Sequence, residues 1–410
     1  MTSRLLGCFA VAAAVALSVG GCTKVIAGKG EAAPTGSASS ATPTPTATEE
    51  PTPEVKLLRG KLREAHRLAG YVVRPDTVYG QYEGFCNPSG SFYSVDQLSS
   101  FLGVFPENAK PAMAAGGYIT GYTQCRSAGQ DRSLIVGAFI MKDNPNCAKS
   151  VKLLATALKN KGAKLGGYGG DINSYTVELA NQKDYNNPAK RTNTVQRLVC
   201  RGSVLNYVWS RSPDMPTART TDARMMLGQL SVISKFEQTP LTGLPDLDDD
   251  PEQLRPKHSA LEGTYVAENG GYNLQSYLAM AEDVGFEKTL LEKDGLSEYF
   301  FFGSNHKEED DRYVYRGIGL YKVRDEAAAR DVVTEFSNLD KRIHQGIKIL
   351  TVDGVPGIFC FGYGDNGTIV QRCFFSKGSI AVQIDVANAT RQYTDVTKLT
   401  KLVQDQYGRL

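Results

Sequence analysis

Histidine is scarce in this 410-residue sequence: only His66, His258, His306 and His344 are present. None belongs to an HExxH arrangement, so the zinc-protease pairing of two imidazoles one helical turn apart is excluded. No GxSxG occurs either, which removes the serine elbow of the α/β-hydrolases. Neither sign of charge is in excess, with 46 Lys and Arg against 44 Asp and Glu. Without a basic stripe interleaved with aromatics, the chain is not expected to bind nucleic acid. Beyond the first twenty residues no apolar run approaches the roughly 20 residues of a membrane helix.

The N-terminus carries the strongest signal. Arg4 precedes an apolar run from Leu5 to Val19, too short for a stable span, and Val19-Gly20-Gly21-Cys22 ends it. This pattern is similar to a bacterial lipobox, which makes residues 1–21 a lipoprotein signal peptide and Cys22 the acylated, palmitate-bearing residue of the mature chain. Leu5-Leu6-Gly7-Cys8 has no apolar segment before it and is set aside. An ordinary cleaved signal leaving a secreted protein is the alternative. A di- or triacyl group would hold the chain on the extracytoplasmic face of the plasma membrane, where one acyl chain binds only marginally. Residues 22–54 are rich in Thr, Pro and Ser and poor in large apolar side chains. They cannot offset the entropy of packing and are expected to form a disordered stalk, bare or O-glycosylated. At about 3.1 Å per residue it could reach roughly 100 Å from the membrane.

Eight cysteines are present, and setting aside Cys8 and Cys22 leaves six, an even number that favours disulfides in an exported chain. Cys360 and Cys373 flank a segment centred on Asn366-Gly367, the dipeptide suited to a two-residue type I′ turn. That register places the two cysteines opposite each other in a non-hydrogen-bonded pair, at about 4.5 Å between Cα atoms, and predicts a bridge. Cys86, Cys125, Cys147 and Cys200 allow three pairings, among which sequence does not choose.

Folded structure is expected from Val55, with Leu58, Leu62, Ala65 and Ala69 at helical spacing. Ser94-Val95-Asp96-Gln97 reads as a capping box opening a second helix. The two halves then resemble each other. Arg132 to Lys142 matches Arg312 to Lys322, Val195-Gln196-Arg197 matches Val370-Gln371-Arg372, and Gly202-Ser203 matches Gly378-Ser379. Terminal helices are expected around residues 221–236 and 394–407. An internal repeat this long predicts duplicated domains, here 55–238 and 259–410, joined by a proline- and acid-rich linker over 239–258. Short gaps between strands require hairpins, so the predicted fold class is α+β, each domain an antiparallel sheet packed with helices.

Motifs with chemistry are few. Gly362-Tyr-Gly364-Asp-Asn-Gly367 spells GxGxxG, but a strand rather than a helix follows, so no dinucleotide site is expected. Gly162 to Gly170 lacks the Lys-Ser or Lys-Thr of a P-loop, and Gly162 reads as a helix C-cap. Asp246, Asp248, Asp249 and Asp250 fail the EF-hand pattern at Pro251 and Lys257 and read as solvated linker acids. No metal or cofactor is expected. His66 and His306 lie beside charges and are expected at the surface. Cys147, at a helix start, is expected in a disulfide rather than as a thiolate. One surface candidate follows from the hairpin register: Phe359, Phe361, Tyr363, Val370, Arg372 and Phe374 share a face opposite the disulfide. That face is a possible ligand or interdomain surface, with Arg372 over a ring or paired with an anionic head group.

The lipobox, the stalk, the repeated halves and the run Arg63-Glu-Ala-His-Arg-Leu-Ala-Gly-Tyr-Val-Val-Arg-Pro75 together resemble an uncharacterised family of mycobacterial-type, actinobacterial cell-envelope lipoproteins. The resemblance implies architecture and location and supplies no catalytic residue. The sequence thus predicts a non-enzymatic binding or assembly lipoprotein for an envelope lipid, glycan or protein. An envelope hydrolase whose carboxylates converge only in the fold is the alternative.

Overall fold

The computed structural model describes residues 51–410, apart from 87–88, 102–108, 160–163, 167–173, 184–189, 262–263, 266–268, 308–312, 366–367 and 389–394. Cys22, the signal and nearly all of the stalk therefore lie outside the described residues, as do Gly162 and the turn at Asn366-Gly367.

The chain forms an α+β structure with two antiparallel eight-stranded sheets. Helix α1 (Pro53–Ala69) comes first: Thr52 caps it by accepting from Val55 N, and Pro53 needs no donor at the first turn. A short α2 (Pro75–Val78) follows. The first sheet contains β1 (Gly84–Phe85), β2 (Gly90–Phe92), β3 (Thr120–Ala128), β4 (Arg132–Ile140), β5 (Lys164–Gly166), β6 (Ser174–Lys183), β7 (Arg191–Arg201) and β8 (Val204–Ser212). Its helices are α3 (Val95–Phe101), α4 (Ala109–Ala115), α5 (Asn144–Lys159) and α6 (Met215–Ile233). The capping box forms, Ser94 Oγ accepting from Gln97 N at 3.3 Å while Gln97 Oε1 accepts from Tyr93 N and Ser94 N.

The second sheet contains β9 (Thr264–Tyr265), β10 (Gly270–Tyr272), β11 (Glu298–Lys307), β12 (Tyr313–Lys322), β13 (Lys348–Leu350), β14 (Phe359–Asp365), β15 (Thr368–Lys377) and β16 (Ile380–Ala387). With it go α7 (Leu274–Tyr277), α8 (Val284–Lys293), α9 (Glu326–Ile343) and α10 (Thr397–Arg409). Strand order is β1-β3-β4-β8-β7-β6-β5 in one sheet and β10-β11-β12-β16-β15-β14-β13 in the other, the same path in both.

Each sheet is covered on both faces, which is why its central strands are continuously buried rather than alternating. In the first, Val151 and Leu154 of α5 pack on Leu198 and Leu205, while Met225, Met226 and Ile233 of α6 pack on Val136 and Val208. In the second, Val332 and Phe336 of α9 cover Phe361 and Phe374, while Leu399 and Val403 of α10 cover Phe375 and the Cys360–Cys373 bridge. The aromatic face is therefore interior. Phe361, Tyr363, Val370, Arg372 and Phe374 are buried and Phe359 half-buried, because α9 of the same half lies over them. It is neither an open ligand surface nor a contact between halves.

The Val-Gln-Arg likeness is also shifted. The hairpins Arg201↔Val204 and Lys377↔Ile380 correspond, each turning at a glycine of positive φ, Gly202 or Gly378. Arg197 lies four residues before its hairpin pair and Arg372 five before, and one residue of slip reverses the face. Arg197 thus meets Asp222 of α6 at 2.5 Å, whereas Arg372 meets α9.

The segment over 239–258 is folded, with Asp246 and Asp248 exposed as expected and Asp249 and Asp250 half-buried. Two 3₁₀ turns, Leu241–Asp246 and Arg255–Lys257, carry Leu244 into the first core and let Leu254 enter the second. Asp250 accepts from Leu254 N at 2.6 Å and Arg255 N at 2.8 Å, and Asp249 pairs with Arg255. Asp250 thus caps backbone donors and Asp249 balances a guanidinium.

Helix α1 joins the halves. Arg63 Nη1 donates to the Gly271 carbonyl at 2.6 Å and lies 3.5 Å from Glu298. His66 is 1 % exposed, stacked on Tyr272 at 3.9 Å, with Nδ1 3.2 Å from the same carbonyl. Its expected surface position is overturned by partners over 200 residues away. Burial, reinforced by Arg63, pushes the imidazole down to about 3. Beyond the helix, Arg74 Nη1 donates to the carbonyls of Leu278 and Ala281 at 2.6 and 2.9 Å.

Candidate functional site

Among the described residues, one group of side chains has the chemistry and proximity to hold a metal ion: Glu282, Asp340 and His344, each offering one ligand atom within 4.8 Å of the others. Their positions follow from local structure. Asp325 caps α9 by accepting from Ala328 N at 2.8 Å, and the apolar stripe through Ala329, Val332 and Phe336 fixes which side meets the sheet. Asp340 and His344 are four residues apart on that same side. The His344 ring stacks on Tyr363 of β14, centroids 3.8 Å apart.

Beneath them a polar chain crosses the aromatic interior. Arg372 of β15 donates from Nη1 to Asp340 Oδ1 at 2.9 Å and from Nε to Asp385 Oδ1, its cross-strand neighbour, at 2.5 Å. Gln383 Nε2 donates to Asp385 at 2.8 Å, and Tyr321 donates to Gln383 at 3.1 Å. Tyr321 lies 3.5 Å from the Tyr277 hydroxyl, which donates to Glu287 Oε2 at 2.5 Å. The other Glu287 oxygen accepts from the backbone N–H groups of Glu282 and Asp283 at 2.7 and 2.8 Å. Glu287 thus holds the bend that presents Glu282, and Arg74 grips that bend through Ala281.

Burial sets the protonation states. It pushes the Glu287 carboxyl up to about 7, against the hydrogen bonds that favour its charged form. Arg372 lies above its ordinary range although burial works against it, because Asp340 and Asp385 favour the charge. Two further acids are raised to about 7 by burial: Asp222 against Arg197, and Glu298 between Glu252 N–H and Arg63. Each is engaged by internal partners.

Three buried atoms beside the site have no hydrogen-bond partner: Asp340 Oδ2, His344 Nε2 and the Tyr363 hydroxyl. His344 Nε2 lies 3.4 Å from Asp340 Oδ1 without hydrogen-bond geometry.

Of the residues singled out from sequence, Arg372, Tyr363 and Phe374 lie in or under this site, while Phe359 meets Lys341 at 4.1 Å. Cys360 and Cys373 are bridged in the expected register, with Cα atoms 4.1 Å apart. Cys86 pairs with Cys125, and Cys147 with Cys200, which staples α5 to β7. Glu282, Asp340 and His344 were not among the sequence candidates. The Asp-x-x-x-His spacing was the available signal, and Glu282 carries none.

Residues 52–249 match a family described as Domain of unknown function (DUF7373) N-terminal. No curated protein matches the chain. The crystal structure of the extracellular domain of PknH from Mycobacterium tuberculosis is similar at 11 % identity and a TM-score of 0.31, covering 42 % of this chain and 97 % of that one. The apo immunity protein TplEi of the T6SS from Pseudomonas aeruginosa is similar at 10 % identity and a TM-score of 0.21, covering 70 % and 92 %. No described helix is long and apolar enough to cross a membrane.

Proposed function

We propose that the chain is an extracytoplasmic, lipid-tethered module that binds or assembles with an envelope lipid, glycan or protein and performs no catalysis. The observation that carries this reading is the seating of α1. The helix that follows the stalk is fixed to the second sheet by Arg63 and His66 and to the first core by Leu68 and Ala69. A tether entering there presents both sheets together, as a display module requires. Three disulfides, each joining two structural segments, support an oxidising location, since such bridges persist outside the reducing cytosol.

Cross-linking in intact cells, followed by mass spectrometry of captured species, tests the reading and separates lipid, glycan and protein partners. The expected result is a saturable partner lost on competition with the purified mature chain. Replacing Cys22→Ala should move the protein from the membrane to the soluble fraction. Absence of saturable capture would overturn the binding role, and a membrane-bound Cys22→Ala chain would overturn the tether.

A further inference from the structure

We infer that Glu282, Asp340 and His344 form a binding site for a divalent transition-metal ion of the Zn²⁺ class. This inference is independent of the envelope-binding reading and stands on the site alone.

The donor set comes first. One imidazole and two carboxylates suit Zn²⁺, with bond lengths of about 2.0–2.2 Å, and the imidazole favours it over Ca²⁺ or Mg²⁺. Ligand atoms within 4.8 Å of one another need draw in by only about an ångström to meet a tetrahedral ion. Glu282, placed in a bend rather than a helix, can supply that movement.

Independent observations point to the same place. Asp340 is 3 % exposed, and its Oδ2 and the His344 Nε2 are buried without hydrogen-bond partners. Such orphans are costly unless something binds them. Arg372 occupies Asp340 Oδ1, which fixes the carboxylate and leaves Oδ2 for an ion.

Charge agrees. Asp340 and Asp385 set two carboxylates against the single Arg372 guanidinium, an excess of negative charge that favours a cation. Two cations of α9 next to Asp340 are turned to aromatic rings, Lys341 over Phe359 and Arg342 over Phe286. The site also lies at the C-terminal end of α9, where the helix dipole favours a cation.

The test uses the purified mature chain, treated with chelator and titrated by calorimetry with Zn²⁺, Mn²⁺, Ca²⁺ or Mg²⁺ alone. One equivalent of Zn²⁺ should bind, more tightly than Ca²⁺ or Mg²⁺, and raise the unfolding temperature. His344→Ala and Glu282→Gln should each weaken Zn²⁺ at least tenfold, while His306→Ala should leave it unchanged. Co²⁺ should give a visible absorption band that His344→Ala abolishes. Should His344→Ala fail to fold, the part-exposed Glu282→Gln decides. Absence of Zn²⁺ binding, or binding indifferent to both Glu282→Gln and His344→Ala, would overturn the site.

Discussion

Arg372 Nη1 and Asp340 Oδ1 are 2.9 Å apart, and this buried ion pair ties α9 to the strand beneath it. Asp385 completes the arrangement from the neighbouring strand. Removing only the cation would leave two carboxylates uncompensated. Arg372→Met should therefore cost about 3–5 kcal/mol in urea unfolding, and adding Asp340→Asn and Asp385→Asn should recover most of it. Additive losses across the three changes would contradict this.

His66 is held neutral in the fold, its pKa lowered from 6.5 to about 3 by burial and Arg63. The unfolded chain then binds the extra proton more readily. Stability from this group is present above pH 6.5 and is lost as pH falls toward 3, at up to about 1.4 kcal/mol per pH unit. Against His66→Phe, the wild type should lose ground steadily on acidification in that window. Parallel stability profiles would show that the imidazole does not sense the fold.

Glu287 behaves in the opposite sense. Its folded pKa of about 7 exceeds the ordinary 4.5, so its contribution is present below pH 4.5 and lost as pH rises through 7. Glu287→Gln should match the wild type near pH 4 and exceed it at pH 8, measured by chemical denaturation. A variant weaker at pH 8 would mean that the carboxylate is needed in its charged form.

Disulfide removal should follow loop length. The bridges Cys147–Cys200, Cys86–Cys125 and Cys360–Cys373 span sequence separations of 53, 39 and 13 residues. Double replacement by Ala should cost about 4 kcal/mol for each of the first two and about 3 for the last, on the chain-entropy account. Thermal unfolding of the three variants measures the order, and a reversed order would place the stabilisation in native contacts instead.

Local chemistry made much of the fold legible. The register expected from the Asn366-Gly367 dipeptide is the one that β14 and β15 adopt, with Cys360 opposite Cys373. Ser94 and Gln97 marked the start of α3, and short gaps between apolar runs dictated antiparallel sheets. Long-range partners were not legible. His66 looked like a surface residue because only its helix neighbours can be read, and these are charged. The acids at 249 and 250 looked solvated because a backbone N–H five residues on, or a guanidinium six residues on, leaves no pattern in composition. The candidate metal site was half visible, since Asp340 and His344 share a helix face while Glu282 reaches them only through the packing of α8.

Gly271 is the point where α1 meets the second sheet: its carbonyl accepts from Arg63, and a methyl group there would stand 2.8 Å from the Asp249 carbonyl oxygen and 3.0 Å from the guanidinium. A single hydrogen atom is thus the spacer on which the joint closes. Ser91, the residue at the matching position of β2, already has a side chain. Gly271→Ala would act as a wedge against Glu298, Asp249 and Arg63 and loosen this joint, while Arg74 and Gln124 go on holding the second half from the first.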